Sequence, residues 1–225
     1  MFDDRKDAGR QLGQALSRYK GLEIIVLAIP RGGVEVGYYV AEKLNAPLSI
    51  VIVRKLPFPQ NPEAGFGAIA EDGGIFFINN IHDQIPSSIA ERIIAEQKQE
   101  LKRRISVLRE NKPISDISGK TVILVDDGIA MGSTMRAAIM LCKNKKAKTI
   151  VAAAPVCSPS TAEELQEVVD DVVILEKPPL FRAVAQAYKN WYDVSDEEVI
   201  RFMHRATNIS TNMKTIDQQK HEKIF

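Results

Sequence analysis

Little in this 225-residue chain marks it for secretion, for metal storage or for a membrane. It has two cysteines, Cys142 and Cys157, each inside an apolar pattern, which excludes a disulfide scaffold and fits free thiols in a reducing compartment. The three histidines, His82, His204 and His221, are scattered and give no metal-ligand spacing. Its 30 basic and 29 acidic residues leave a net charge of +1, so no broad field draws it to nucleic acid or a lipid surface. No apolar run approaches membrane-spanning length. The opening stretch Met1–Lys6 is polar and lacks a signal-peptide core. The expectation is a soluble cytoplasmic protein with one sizeable core and no nucleic-acid or membrane partner.

What the chain does have is alternation. Short runs rich in β-branched residues cover Leu22–Ile29, Leu48–Val53, Thr121–Val125, Lys148–Val156 and Asp171–Leu175. Helical patterns separate most of them, so the predicted fold class is α/β: a mostly parallel twisted sheet with helices on both faces. An N-terminal helix over residues 3–19 places Ala8, Leu12, Ala15 and Leu16 on one side. Ser88 with Glu91 reads as a capping box. The long helix it opens carries Ile89, Ile93, Gln97, Leu101, Ile105 and Leu108 as a stripe, with Lys102–Arg103–Arg104 on a solvated face. Ser160 with Glu163, and Ser195 with Glu198, predict two later helix starts. Asp72–Gly73–Gly74 between apolar runs is a hairpin signal.

The chemistry concentrates in Thr121–Thr134, which reads TVILVDDGIAMGST. A buried strand ends in two carboxylates, Asp126 and Asp127; a loop with Gly128 and Gly132 follows, and Ser133 and Thr134 open a helix. A helix N-terminus offers unpaired N–H groups and partial positive charge to a phosphate. The carboxylates repel phosphate, so their partners are hydroxyl groups or a divalent cation. The alternative is an ordinary βα turn with solvated acids. A second strand–glycine–helix unit carries Pro30–Arg31–Gly32–Gly33, and a third strand ends in Arg54–Lys55. These cations need an anion, either a ligand or an internal acid such as Asp126 or Asp127. All of these groups fall at carboxyl ends of predicted strands, where open α/β sheets bind ligands.

The Thr121–Thr134 stretch resembles the 5-phosphoribosyl-1-pyrophosphate (PRPP) signature of the type I phosphoribosyltransferases. Pro–Arg–Gly–Gly, Val–Arg–Lys, Gly–Ala–Ile–Ala–Glu and the late Ser–Asp–Glu–Glu are shared with a subgroup of predicted bacterial members. The resemblance implies that Asp126 and Asp127 contact the ribose hydroxyls, and a Mg²⁺ indirectly through ribose or water. It implies a 5′-phosphate loop of Gly128, Ala130, Met131, Gly132, Ser133 and Thr134. Arg31, Gly32, Gly33, Arg54 and Lys55 would hold pyrophosphate. Arg54, Lys55, Asp126 and Asp127 would be catalytic, together with Glu71 on a flexible β-hairpin lid that also carries Glu63. A hood would place Phe181, Tyr188 and Trp191 against a flat acceptor. Met131 departs from the family, which commonly has Thr or Ser before this glycine. Ala130 stands where hypoxanthine-type members carry a catalytic Asp, which argues against a mechanism copied from 6-oxopurine salvage.

The implied organisation is one phosphoribosyltransferase-like domain over residues 1–206. Its core covers about 22–175, its hood comes from 1–20 and 176–206, and 207–225 form a polar tail. The implied reaction is Mg²⁺-dependent transfer of 5-phosphoribose from PRPP to a nitrogenous small-molecule acceptor. Homodimers are common in the family. The competing class is a non-catalytic regulator that binds PRPP or a nucleotide as a signal.

Overall fold

A computed structural model describes residues 1–78 and 84–207, with the side chains of residues 62 and 63 left aside. The polar tail expected over 207–225 lies outside the described residues except for Thr207, as do Asn79, His82 and His221.

Five parallel strands form the main sheet: β1 (Ile24–Ala28), β2 (Leu48–Ile50), β6 (Thr121–Val125), β7 (Thr149–Val156) and β8 (Asp171–Glu176). Their spatial order is β2-β1-β6-β7-β8. Each apolar run is continuous because both faces are covered. On one face Val26, Ile123, Val125 and Val151 meet Leu12 of α1 (Arg5–Ala15), Leu16 at its C-cap, and Val36, Val40 and Leu44 of α2 (Gly32–Leu44). On the other, Leu27, Leu124 and Ala152 meet α4 (Ser133–Asn144) and α5 (Pro159–Gln166). Gly9 and Gly13 let α1 lie close on α2, where a Cβ at either would come within 2.8 Å of Val36 O or Lys43 Cβ. From β1 the chain winds one way and from β6 the other, so a crevice opens outside their carboxyl ends.

Between β2 and α3 (Ser87–Arg109) the chain makes a second, antiparallel sheet of β3 (Val53–Phe58), β4 (Asn61–Ala70) and β5 (Ile75–Phe77), in the order β3-β4-β5. It is sandwiched: Val53, Ala68 and Ala70 face α4, whereas Leu56, Phe66 and Ile69 face Ile93, Leu101 and Leu108 of α3. The predicted Leu48–Val53 strand is therefore divided. After Ile50 the chain peels away from β1: Glu71 N–H donates to Ile52 O, and Val53 pairs with Ala70. One apolar run serves two sheets, which periodicity does not reveal.

Two predicted helix starts move. The helix expected from Ser88 begins at Ser87, with Pro86 at its N-cap and no side-chain cap, so Ser88–Glu91 is not a capping box. The cap of α5 is Ser158, which accepts from Thr161 N–H, rather than Ser160. The Ser195–Glu198 box is present, each side chain bonded to the other's backbone N–H, and opens α6 over residues 196–207. Both cysteines are buried free thiols, which burial pushes up to about 12 for Cys142 and about 11 for Cys157. Among the described residues no helix is long and apolar enough to cross a membrane.

Candidate active site

Strand β6 delivers Asp126 and Asp127 to the crevice, and the loop behind them is pinned. Ile129 bridges to Cys157, and Thr161 Oγ1 donates to Ala130 O at 2.8 Å. Gly132 caps α4 at φ 72°, and a Cβ there would meet Thr161 Cγ2 at 2.8 Å, so conformation and space both require glycine. The first N–H of this helix to bond backward is that of Arg136, to Gly132 O at 2.9 Å. Among the described residues the amides of Ser133, Thr134 and Met135 take no protein partner, an arrangement that suits an anion. They open on a cavity of about 230 Å³ lined by Gly128–Thr134 with Lys55, Gly65 and Val184. Met131 is 50% exposed and lines this cavity.

The Arg–Gly–Gly turn approaches the acid pair directly. A Cβ on Gly32 would lie 1.8 Å from Asp127 Oδ2, and one on Gly33 2.9 Å from Asp126 Oδ1. These glycines make room for the carboxylates, a reason the sequence had not supplied. The Pro30–Arg31 peptide is cis. Arg31 is 42% exposed, with Nη1 3.9 Å from Asp196, whose other oxygen meets Arg103 at 3.3 Å.

Arg54 and Lys55 do not act as a pair at a strand end. Both lie inside β3, and successive residues of a strand face opposite ways. Lys55 reaches the cavity at the start of α4. Arg54 faces α3, where its Nε donates to Gln97 at 3.1 Å. Burial first, then the charge of Arg104, lowers the Arg54 pKa, with Arg31 also contributing. Lys55 thus belongs with the Gly128–Thr134 loop, and Arg54 with Arg31.

Glu71 is absent from the crevice. Its carboxylate accepts from Ile52 N–H at 2.9 Å and Arg109 Nη1 at 3.0 Å, and pairs with Arg109 Nη2. The next residue, Asp72, bonds Asn144 at the far end of α4 at 3.1 Å. Twelve helical residues, about 18 Å, separate that end from the loop at the start of α4. Glu71 is therefore withdrawn as a catalytic residue. The Asp72–Gly74 turn does join β4 to β5, but it lies at this far end. The turn at the other end of β4 is that of residues 59–60, between β3 and β4, and the β3 and β4 residues that line the cavity are Lys55 and Gly65.

Two of the aromatic residues expected to hold an acceptor are used internally. Tyr188 is buried, its hydroxyl donating to Asp127 O at 2.5 Å and its ring packed on Phe2 and Trp191. Phe181 packs in the same small cluster. Tyr188 offers no open face to a flat ligand; Trp191, 41% exposed, does. The N-terminal residues meet the stretch near Tyr188 here, Phe2 N–H donating to Ala187 O at 2.7 Å. Burial, with Asp127 second, pushes the Asp126 carboxyl well above its ordinary range. Burial also raises Glu35, whose carboxylate takes the Tyr192 hydroxyl at 2.6 Å.

The family model described as the phosphoribosyl transferase domain matches residues 4–188. The chain belongs to this family. Proteins from two Mycobacterium tuberculosis strains, CDC 1551 and H37Rv, provisionally named phosphoribosyl transferases, are 40% identical over 208 residues. That match covers 92% of this chain and 47% of each relative, so the chain spans about half the length of the curated relatives it matches. A crystal structure of a Thermus thermophilus protein has a TM-score of 0.75 at 37% identity, covering 90% of this chain and 97% of that one.

As a phosphoribosyl transferase family member, the chain holds at its acid pair a residue that motif reading passed over, Arg5, and behind it another, Glu35, which accepts from Tyr192. Arg5 Nε donates to Asp127 Oδ2 at 2.8 Å and Nη1 to Tyr192 O at 2.7 Å. The available signal was Arg5 and Glu35 inside otherwise apolar helix faces, where charge needs a partner.

Proposed function

We propose that this chain is a phosphoribosyltransferase that moves the 5-phosphoribosyl group of PRPP to a nitrogenous acceptor, with a nucleobase as the acceptor class, and releases pyrophosphate. The observation that carries this is convergence: the Arg–Gly–Gly turn packs on the carboxylate pair at the adjacent carboxyl ends of β1 and β6, and the loop after that pair leads to an open helix N-terminus whose cavity Lys55 also lines. The proposal extends to the organisation, one catalytic unit over residues 1–206 with a hood from both ends.

In this mechanism the amides of Ser133, Thr134 and Met135, with Lys55, hold the 5′-phosphate. Asp126 and Asp127 take the ribose hydroxyls, while Arg31 and Arg54 face the pyrophosphate. The bond from the anomeric carbon to pyrophosphate breaks, the acceptor nitrogen bonds that carbon, and positive charge develops on the ribose. Fixed charges placed where that charge develops lower the barrier, each worth about 10²-fold or more. Among the described residues no three His, Cys, Asp or Glu side chains cluster as a metal cage. Two adjacent carboxylates suit a Mg²⁺ held mainly by substrate phosphates and water. When bound, that ion would neutralise the leaving group, with Asp126 and Asp127 reaching it through water or ribose.

Trp191 is the one tryptophan of the chain and lies 4.0 Å from the guanidinium on Asp127, so its fluorescence reports on the crevice. Titration with Mg²⁺ and PRPP is expected to give a saturable change. Lys55→Gln and Asp127→Asn should each weaken it about ten- to hundredfold, the worth of a charged hydrogen bond. Equal affinity in both variants would remove PRPP from this crevice.

A further inference from the structure

Arg5 lies in the first turn of α1, far in sequence from both loops, yet its side chain is 3% exposed and ends on the acid pair. A buried guanidinium persists only where it is paired and hydrogen-bonded. This one has Asp127 on one edge and the Tyr192 carbonyl on another. Its flat face lies 4.0 Å from the Trp191 ring centre and 5.2 Å from that of Tyr192, within range of cation–π attraction. Gly32 closes the seat, since a Cβ there would stand 2.8 Å from Arg5 Nε as well as against Asp127. Asp127 is held at its backbone too, by the Tyr188 hydroxyl.

The consequence lies in which oxygen is used. Arg5 takes Oδ2 of Asp127, and the other side-chain contact of that carboxylate is the neighbouring Asp126 carboxyl. A carboxylate anchored by a fixed cation through one oxygen is preorganised to accept a hydroxyl at the other. Resting on the assignment of Asp127 to the ribose hydroxyls, we infer that Arg5 is a positioning residue for the transfer. It fixes Asp127 with Oδ1 toward the sugar, and Trp191 and the Tyr192 carbonyl fix Arg5 in turn. The chain segments at 1–15 and 188–192 thereby set a group on β6, and an altered hood alters sugar binding without touching the sugar.

The test is a double-mutant cycle on the full chain, read as PRPP affinity with Mg²⁺ by calorimetry. Arg5→Gln is expected to weaken PRPP about ten- to hundredfold. In an Asp127→Asn background the same substitution should cost no more than about twofold, because its effect passes through that carboxylate. Arg5→Lys should recover part of the loss, and Trp191→Leu, at a partly exposed ring, should fall between wild type and Arg5→Gln. A merely structural arginine would give the same fold-loss in both backgrounds and no rescue by lysine. Either equal losses or wild-type affinity in Arg5→Gln overturns the inference while the transferase assignment stands, provided Asp127→Asn itself weakens binding about ten- to hundredfold. Should Asp127→Asn bind PRPP normally, both fall. If Arg5→Gln melts before it can be assayed, Trp191→Leu in the two Asp127 backgrounds carries the same comparison, with the same overturning result.

Discussion

Replacing Glu71 by alanine separates a structural pin from a catalytic base. Both Glu71 and Arg109 side chains are 8% exposed, and the carboxylate receives the Ile52 amide and two nitrogens of the guanidinium. The variant removes all of these at once. Arg109 keeps only the Ile50 carbonyl at 3.1 Å, and its Nε has no partner to begin with. Breaking a buried pair from one side costs about 3–5 kcal/mol, because the remaining charge stays buried without its partner. At about 2–4 °C per kcal/mol for a chain of this size, the melting temperature should fall by roughly 6–20 °C. The joint variant Glu71→Leu with Arg109→Met, which removes both charges, should regain most of the loss. Circular dichroism melts give the stability, and PRPP titration well below the transition gives the function, which should match wild type. A Glu71→Ala protein that melts like wild type but has lost turnover would refute the placement of Glu71 away from the chemistry.

Asp126 gives a pH-dependent expectation. Burial and Asp127 raise its folded-state pKa above the unfolded carboxylate value, so the folded protein binds the extra proton. Stability from this group is therefore present at acid pH and lost as pH rises through the raised pKa. Asp126→Asn should raise the melting temperature at neutral pH and weaken PRPP binding together; a lower melting temperature would contradict the sign. Gly132→Ala, at φ 72° and with its Cβ on Thr161, should cost about 1 kcal/mol or more in urea unfolding and open the phosphate loop. No change in ribose 5-phosphate affinity in that variant would contradict the loop assignment. The opposite facings of Lys55 and Arg54 predict that Lys55→Gln weakens ribose 5-phosphate, which has no pyrophosphate, about tenfold or more. Arg54→Gln should leave that affinity within about twofold, and equal losses would place both cations on one phosphate.

The parallel sheet was legible because its strands are buried on both faces and so read as unbroken β-branched runs between helical patterns. The acid pair and the glycine loop that opens α4 were legible because strand, carboxylates, glycine and helix start are contiguous in sequence. What was hidden depends on long-range geometry. Val53 changes sheets with no change in hydropathy, and Arg54 and Lys55 are split only because β3 lies between α3 and α4. Glu71 stands in a family-like pattern, but its neighbour Arg109 is 38 residues away. Arg5 and Asp127 are 122 residues apart, and nothing local to either announces the other. The aromatic cluster at 181–192 was visible, yet the Tyr188 hydroxyl aimed at the Asp127 carbonyl was not.

Pyrophosphate release from PRPP and Mg²⁺, measured across a panel of free nitrogenous bases beside Asp127→Asn, tests the transferase assignment most directly. The account predicts release with a particular base and a loss of about 10²-fold or more in the variant. Saturable PRPP binding with no release across the panel would contradict it, and would make the crevice that of a regulator.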